Sequence, residues 1–200
     1  MNFIPESDDI NNYLTSSEYI DFDNKKIRLK ADALFFPLSG ETDKIRAAFE
    51  FVRDQISHSG DIDCEIVTKK ASDALKFGTG ICLVKSMLLA AFLRYAGIPA
   101  GLCYQRLTRG GAPETGYIIH GLNAVYIKNA NKWIRLDARG NKPGVNAEFC
   151  VEREKIAYPV RHEYDEIDYP AIYAEPHPLV AAVLRNYNNR KRDVYNLDRL

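Results

Sequence analysis

Cys82, His120 and Asp137 are the residues of this chain whose types and neighbours suit nucleophilic acyl chemistry. Cys82 comes just after Phe77-Gly78-Thr79-Gly80, near the start of a run, residues 81–95, that is apolar almost all round. In the first turn of a helix the backbone N–H groups lack helical partners and the dipole is positive. Both effects favour thiolate over thiol, which makes a cysteine nucleophilic near neutral pH. Gly78 and Gly80 leave room for a substrate backbone beside the sulfur. His120 shares a strand face with Leu122, Ala124 and Tyr126, and Asp137 follows Ile134-Arg135-Leu136 at the end of the next strand. A nucleophile, a base and a carboxylate that orients the base form a triad in the order Cys, His, Asp. Cys82 then attacks a carbonyl carbon. The His120 imidazolium stabilises the thiolate and protonates the leaving amine, while Asp137 fixes the tautomer of the ring. The Cys82 N–H is a candidate oxyanion donor; no second donor is identified.

These residues meet only if particular elements form. Ile45, Ala48, Phe49, Val52 and Ile56 recur at helical spacing over residues 43–56, with Thr42 as a cap. Residues 27–36 carry a similar pattern that ends at Pro37, so the first sixty residues read as helical. Residues 81–95 read as a helix buried on most sides, stopped by Gly97 and turned by Ile98-Pro99. The period then changes to two. Residues 101–107, 117–128 and 132–136 are expected strands, and 178–187 a short helix with proline in its first turn. Helices followed by an antiparallel sheet give an α+β fold, with the nucleophile helix buried on that sheet. A two- or four-residue loop between the last two strands sets Tyr126 opposite Trp133 and Leu122 opposite Asp137. His120 and Asp137 then share a face, offset diagonally by about 7–8 Å between backbones. An odd loop would put them on opposite faces.

The remaining candidates read as structural. Cys103 is expected in the core, and Cys64 and Cys150 as incidental thiols. His58, following a helix in Ser57-His58-Ser59-Gly60-Asp61, could approach the cleft but reads as a cap; His177, between two prolines, as structural or at a cleft rim; His162 as surface. Lys85, one turn beyond Cys82, could favour thiolate but reads as reaching solvent. Trp133 and the tyrosines read as core. Neither C-x-x-C nor H-x-x-x-H occurs, and Gly78-Thr79-Gly80 lacks the G-K-[ST] of a phosphate loop, so no metal and no cofactor are expected.

Lys plus Arg and Asp plus Glu number 27 each in 200 residues, and a net charge of zero leaves no footprint for nucleic acid or an anionic membrane. The basic tail, Arg185, Arg190, Lys191, Arg192 and Arg199 against Asp193 and Asp198, reads as a solvated, frayed end. Residues 1–20 hold Glu6, Asp8, Asp9 and Glu18 without an apolar run, and the apolar stretch 87–93 is too short to span a bilayer. Widely spaced cysteines without an export signal point to reduced thiols in a cytoplasm.

Phe77-Gly78-Thr79-Gly80-Ile81-Cys82, continued by Leu89-Ala90-Ala91-Phe92-Leu93-Arg94-Tyr95-Ala96-Gly97-Ile98-Pro99-Ala100, resembles the core signature of the transglutaminase-like superfamily. His120 with Asn123-Ala124-Val125-Tyr126, and Trp133-Ile134-Arg135-Leu136-Asp137, resemble its second and third motifs. The likeness spans residues 71 to about 144. Asn141-Lys142-Pro143-Gly144-Val145-Asn146 and Tyr173-Ala174-Glu175-Pro176-His177-Pro178 are similar to a bacterial branch described as cysteine proteases. The resemblance implies a papain-like fold and puts the triad at Cys82, His120 and Asp137; Gly121 stands where many members carry an aromatic. It implies a single transglutaminase-like domain over residues 1–200, with N-terminal helices 1–60, a catalytic core of about 68–145 and a C-terminal extension 146–200. The expected activity is hydrolysis of a peptide or protein amide through a cysteine thioester. Protein-glutamine transamidation, a catalytically inactive binding module and acetyl transfer from a small thioester to an arylamine stay open, since the resemblance does not choose the acceptor.

Overall fold

The computed structural model describes residues 3–188 and 197–200. The chain runs through β1 (Ile4–Pro5), a 3-10 turn (Ile10–Leu14), α1 (Lys25–Phe35), α2 (Glu41–Gln55), β2 (Ser57–His58), α3 (Ala71–Phe77) and β3 (Thr79–Gly80). It continues through α4 (Cys82–Tyr95), β4 (Ala100–Thr108), β5 (Tyr117–Ile127), β6 (Lys132–Leu136), β7 (Ile167–Asp168), β8 (Ala171–Ile172) and α5 (Pro178–Asn186). Among the described residues no helix is long and apolar enough to cross a membrane.

Helix α4 is the centre of the molecule because its composition leaves it no solvent face. All of its residues from Leu83 to Arg94 are buried, packed against α1, α2 and α3 and against β4 and β5. Each fully buried Leu or Phe there contributes roughly 1.5–3 kcal/mol. The buried charge of Arg94 is satisfied by carbonyls: it donates to Ala100 O and Thr15 O, both at 2.9 Å, and to Ala174 O. The helix stops where Gly97 takes φ +73°. Ile98 N–H then reaches Leu93 O at 2.9 Å and Gly97 N–H reaches Arg94 O at 3.0 Å, the paired bonds of a Schellman end.

The main sheet is antiparallel, in the order β6-β5-β4-β7. Four residues join β5 to β6, with Asn131 at φ +49° closing the turn. Tyr126 lies opposite Trp133 and Asn123 opposite Leu136, the expected register. One face of the sheet receives α4: Asn123 Nδ2 donates to Ser86 O at 2.9 Å. On the other face Leu122 and Ala124 pack with Tyr13, Cys103 and Ile172. The larger apolar cluster draws on the whole chain, from Tyr19 to Leu197.

The N-terminal segment is less uniformly helical than its pattern suggests. β1 pairs with β8 and β2 with β3, two short parallel bridges that helical spacing cannot reveal. Helix α2 begins at Glu41 with Gly40 rather than Thr42 at its cap, placing Glu41 and Asp43 at the positive end of the dipole. Arg190, Lys191, Arg192 and Asp193 of the basic tail lie outside the described residues.

Candidate active site

Cys82 is the first residue of α4, after an extended Ile81 that makes no side-chain cap. Gly78, at φ +65°, ends α3 and turns the chain into β3, so the two glycines deliver Cys82 to the helix start. Cys82 is partly exposed, on the wall of a cavity of about 540 Å³ that it shares with His120 and His58. The Cys103 thiol, sealed in the core, is pushed up to about 12 by burial. Burial also acts against the Cys82 thiolate. The charge of His120 and hydrogen bonding from His120 and His58 overcome it and hold Cys82 well below the usual thiol range.

How the ring meets the sulfur follows from the sheet. β6 pairs with β5 only between Asn123 and Ile127, so beside Gly121 and His120 that edge of β5 has no strand partner among the described residues. The first turn of α4 packs there. A Cβ on Gly121 would stand 3.0 Å from Leu83 Cα and 3.3 Å from Leu83 N, closer than side chains tolerate. Residues alternate between faces along a strand, so Gly121 faces Leu83 while the His120 ring lies on the other side of the strand. Cys82 and His120 nonetheless line one cavity.

His120 and Asp137 are almost completely buried. His120 Nε2 lies 2.8 Å from Asp137 Oδ2, which leaves Nδ1 for the sulfur. Asp137 also accepts from Ala157 N–H at 3.0 Å and Arg139 N–H at 3.1 Å. Burial would raise the Asp137 pKa, but the His120 charge, its hydrogen bond and the two backbone donors hold it below the usual carboxylate range. Burial would likewise lower His120; Asp137 and the Cys82 thiolate reverse that and raise the imidazole well above its ordinary value. The arrangement favours the thiolate–imidazolium pair at neutral pH. Tyr158 stacks edge-on against the His120 ring, centroids 5.2 Å apart, covering it from solvent.

Leu107 and Ile118 give the cavity an apolar floor, and its rim is charged. Most of that charge is internally paired. Asp61 accepts from Arg139 and from Lys142, the latter at 2.6 Å, and Arg161 donates to Glu166 at 2.6 Å. Burial opposes ionisation of Asp61, yet the two cations hold its carboxyl at about 2. Among the described residues no His, Cys, Asp and Glu group is arranged to hold a metal ion.

Two sequence expectations are corrected. His58 is not a helix cap: β2 pairs with β3, setting His58 opposite Gly80, two residues before Cys82. No local pattern announces a two-residue parallel bridge. Lys85 does not reach solvent; it is wholly buried, and its Nζ donates to Ile56 O, with Arg53 O at 3.4 Å, at the end of α2. Burial, then the nearby Arg139 charge, lower its pKa to about 7. His177 caps α5 through Nδ1, His162 is exposed, and Cys64 and Cys150 are partly exposed free thiols.

The model of the transglutaminase-like superfamily matches residues 31–138, more than half of the chain. No curated protein matches. Among solved structures, a candidate cysteine protease from Cytophaga hutchinsonii aligns at 23% identity and a TM-score of 0.53, over 66% of this chain and 43% of its own. The periplasmic domain of TgpA from Pseudomonas aeruginosa aligns at 18% identity and a TM-score of 0.46, over 66% and 48% respectively. This chain thus spans less than half the length of either structure, and the first likeness is one of fold.

Proposed function

The chain belongs to the transglutaminase-like superfamily, and from that premise we propose that it hydrolyses peptide or protein amides through a thioester on Cys82. His120 is the proton carrier and Asp137 the orienting carboxylate. The carrying observation is that a partly exposed Cys82 and a buried His120 line one cavity, with a carboxylate 2.8 Å beyond the imidazole. The thiolate attacks the carbonyl carbon, and the C–S bond forms as the carbonyl π pair moves to oxygen. Collapse of that intermediate breaks the C–N bond, and the amine leaves with the proton of His120 Nδ1. His120 then takes a proton from water, whose oxygen attacks the thioester; the C–S bond breaks, its electron pair returns to sulfur as thiolate beside the imidazolium, and the acid product loses its proton to solvent.

Water is favoured as acceptor because Cys82 lines a cavity of about 540 Å³ with a charged rim, wide enough for an acyl group to meet solvent once the amine departs. The pairing of Arg161 with Glu166, and of Asp61 with Arg139 and Lys142, leaves little net charge on the rim, which suits an uncharged peptide backbone. The four cysteines are all unbridged, which fits a reducing compartment such as the cytoplasm.

Iodoacetamide at neutral pH should label Cys82 ahead of Cys64, Cys103 and Cys150, and His120→Ala should slow that labelling. Equal labelling of the exposed thiols, unaffected by His120→Ala, would refute the enzymatic reading in favour of a binding module. A glutamine peptide given with and without a primary amine then separates the acceptors: ammonia release alone indicates hydrolysis, amine incorporation transamidation.

A further inference from the structure

We infer that His58 is the second oxyanion donor of this site, its Nε2–H completing with the Cys82 N–H the pair that receives the charge developing on the substrate carbonyl. The inference rests on the acyl-transfer reading above and adds a residue to it. Its first support is placement. Ser57 N–H to Gly78 O at 2.9 Å and Ser59 N–H to Gly80 O at 3.0 Å pin His58 from both sides to the strand that leads into Cys82. Lys85 fixes the point where that strand begins, because its buried ammonium holds Ile56 O. A donor held by backbone on both flanks needs little reorganisation when charge appears.

The second support is the tautomer. Gly60 N–H donates to His58 Nδ1 at 3.2 Å, so the hydrogen of the neutral ring sits on Nε2. His58 and Cys82 line the same cavity, and His58 is among the groups that favour the Cys82 thiolate. During attack the negative charge passes from sulfur to the carbonyl oxygen, and a donor to that oxygen must stand about 2.7–3.1 Å from it. His58 can follow that charge without giving up its proton. Proton transfer remains with His120, which alone of the two rings is bonded to a buried carboxylate.

Two reagents separate this role from simple support of the thiolate. Iodoacetamide reacts at a saturated carbon and forms no oxyanion, whereas p-nitrophenyl acetate acylates through one. Both rates are read at their pH plateaus, so that thiolate fraction drops out. His58→Ala should lower the acylation burst by about 10²–10³-fold while alkylation changes less than about tenfold, and His58→Gln, which keeps an N–H, should recover most of the burst. Equal losses in both rates, or no loss in either, would overturn the inference, with circular dichroism confirming that each variant is folded. A native protein whose acylation does not depend on Cys82 would overturn the underlying reading as well; Cys82-dependent acylation with an unchanged ratio in His58→Ala overturns only the role of His58.

Discussion

Gly121→Ala tests whether the approach of α4 to β5 sets the reactivity of Cys82. The added Cβ would stand 2.8 Å from Leu83 Cδ2, 3.0 Å from Leu83 Cα and 3.3 Å from Leu83 N. The methyl group can rotate away, but the backbone cannot. Contacts of 3.0–3.3 Å to backbone are tighter than ordinary packing, so the first turn of α4 must give way by a few tenths of an ångström. Leu83 adjoins Cys82, and the sulfur withdraws from His120 with it. A misplacement of about 1 Å costs on the order of 10²-fold in rate, so a shift of a few tenths of an ångström should slow alkylation of Cys82 by roughly 3- to 10-fold. Gly121 is outside the positive-φ set, so alanine gains about 0.4–1 kcal/mol through the unfolded state. Overpacking costs about 1–3 kcal/mol and wins, lowering Tm by about 2 to 8 °C. Gly101→Ala is the control. Its Cβ would meet Ile172 Cγ2 at 2.4 Å and Tyr173 O at 3.1 Å, on the sheet face away from α4, so it should lose comparable stability and keep the native alkylation rate. Native alkylation in Gly121→Ala, or equal slowing in both variants, would refute the reasoning.

Other expectations follow from the charges. With the Cys82 pKa lowered and the His120 pKa raised, the ion pair occupies the window between them; alkylation of Cys82 should vary little around pH 7, where an ordinary thiol with a pKa of about 8.5 gains nearly tenfold per unit. Asp137→Asn removes the charge that holds His120 protonated and sets an amide donor against a backbone N–H. Acylation should fall by about 10³–10⁴-fold, stability by about 1–3 kcal/mol, and the alkaline limb of the acylation profile should move to lower pH. Lys85→Met removes a base whose folded pKa is about 7 against 10.5 for an ordinary lysine. Between those values the unfolded chain holds the extra proton, so the native protein gains stability relative to the variant as pH rises through this window. The gain is about 1.4 kcal/mol per unit, on the order of 4 kcal/mol in all, and denaturation of both proteins at pH 7 and pH 10 measures it.

What the sequence discloses divides along the range of the interactions. The apolar run of α4 is legible because helical periodicity is local, and so is the β5–β6 register, since a four-residue connection with Asn131 in the left-handed region is read from neighbouring residues. That register brings the His120 and Asp137 side chains to 2.8 Å. For His58 the sequence offers both a cap and an approach to the cleft, and it cannot choose, because the residue's place depends on a bridge to residues 22 positions away. Lys85 looked like a solvent-reaching charge because its partners, the last carbonyls of α2, are supplied by tertiary packing. Gly121 stood out against the family pattern, and only the packed helix explains it: an aromatic side chain there would have no room beside Leu83.

The third bond to Asp137 comes from Ala157, twenty residues further along the chain. A polypeptide emerging from the ribosome exposes its cysteine, its histidine and its aspartate before the segment that finishes the carboxylate's surroundings, and before Tyr158, which screens the ring, has left the exit tunnel. Asp137 and His120 therefore acquire their full set of contacts only when that distal stretch docks.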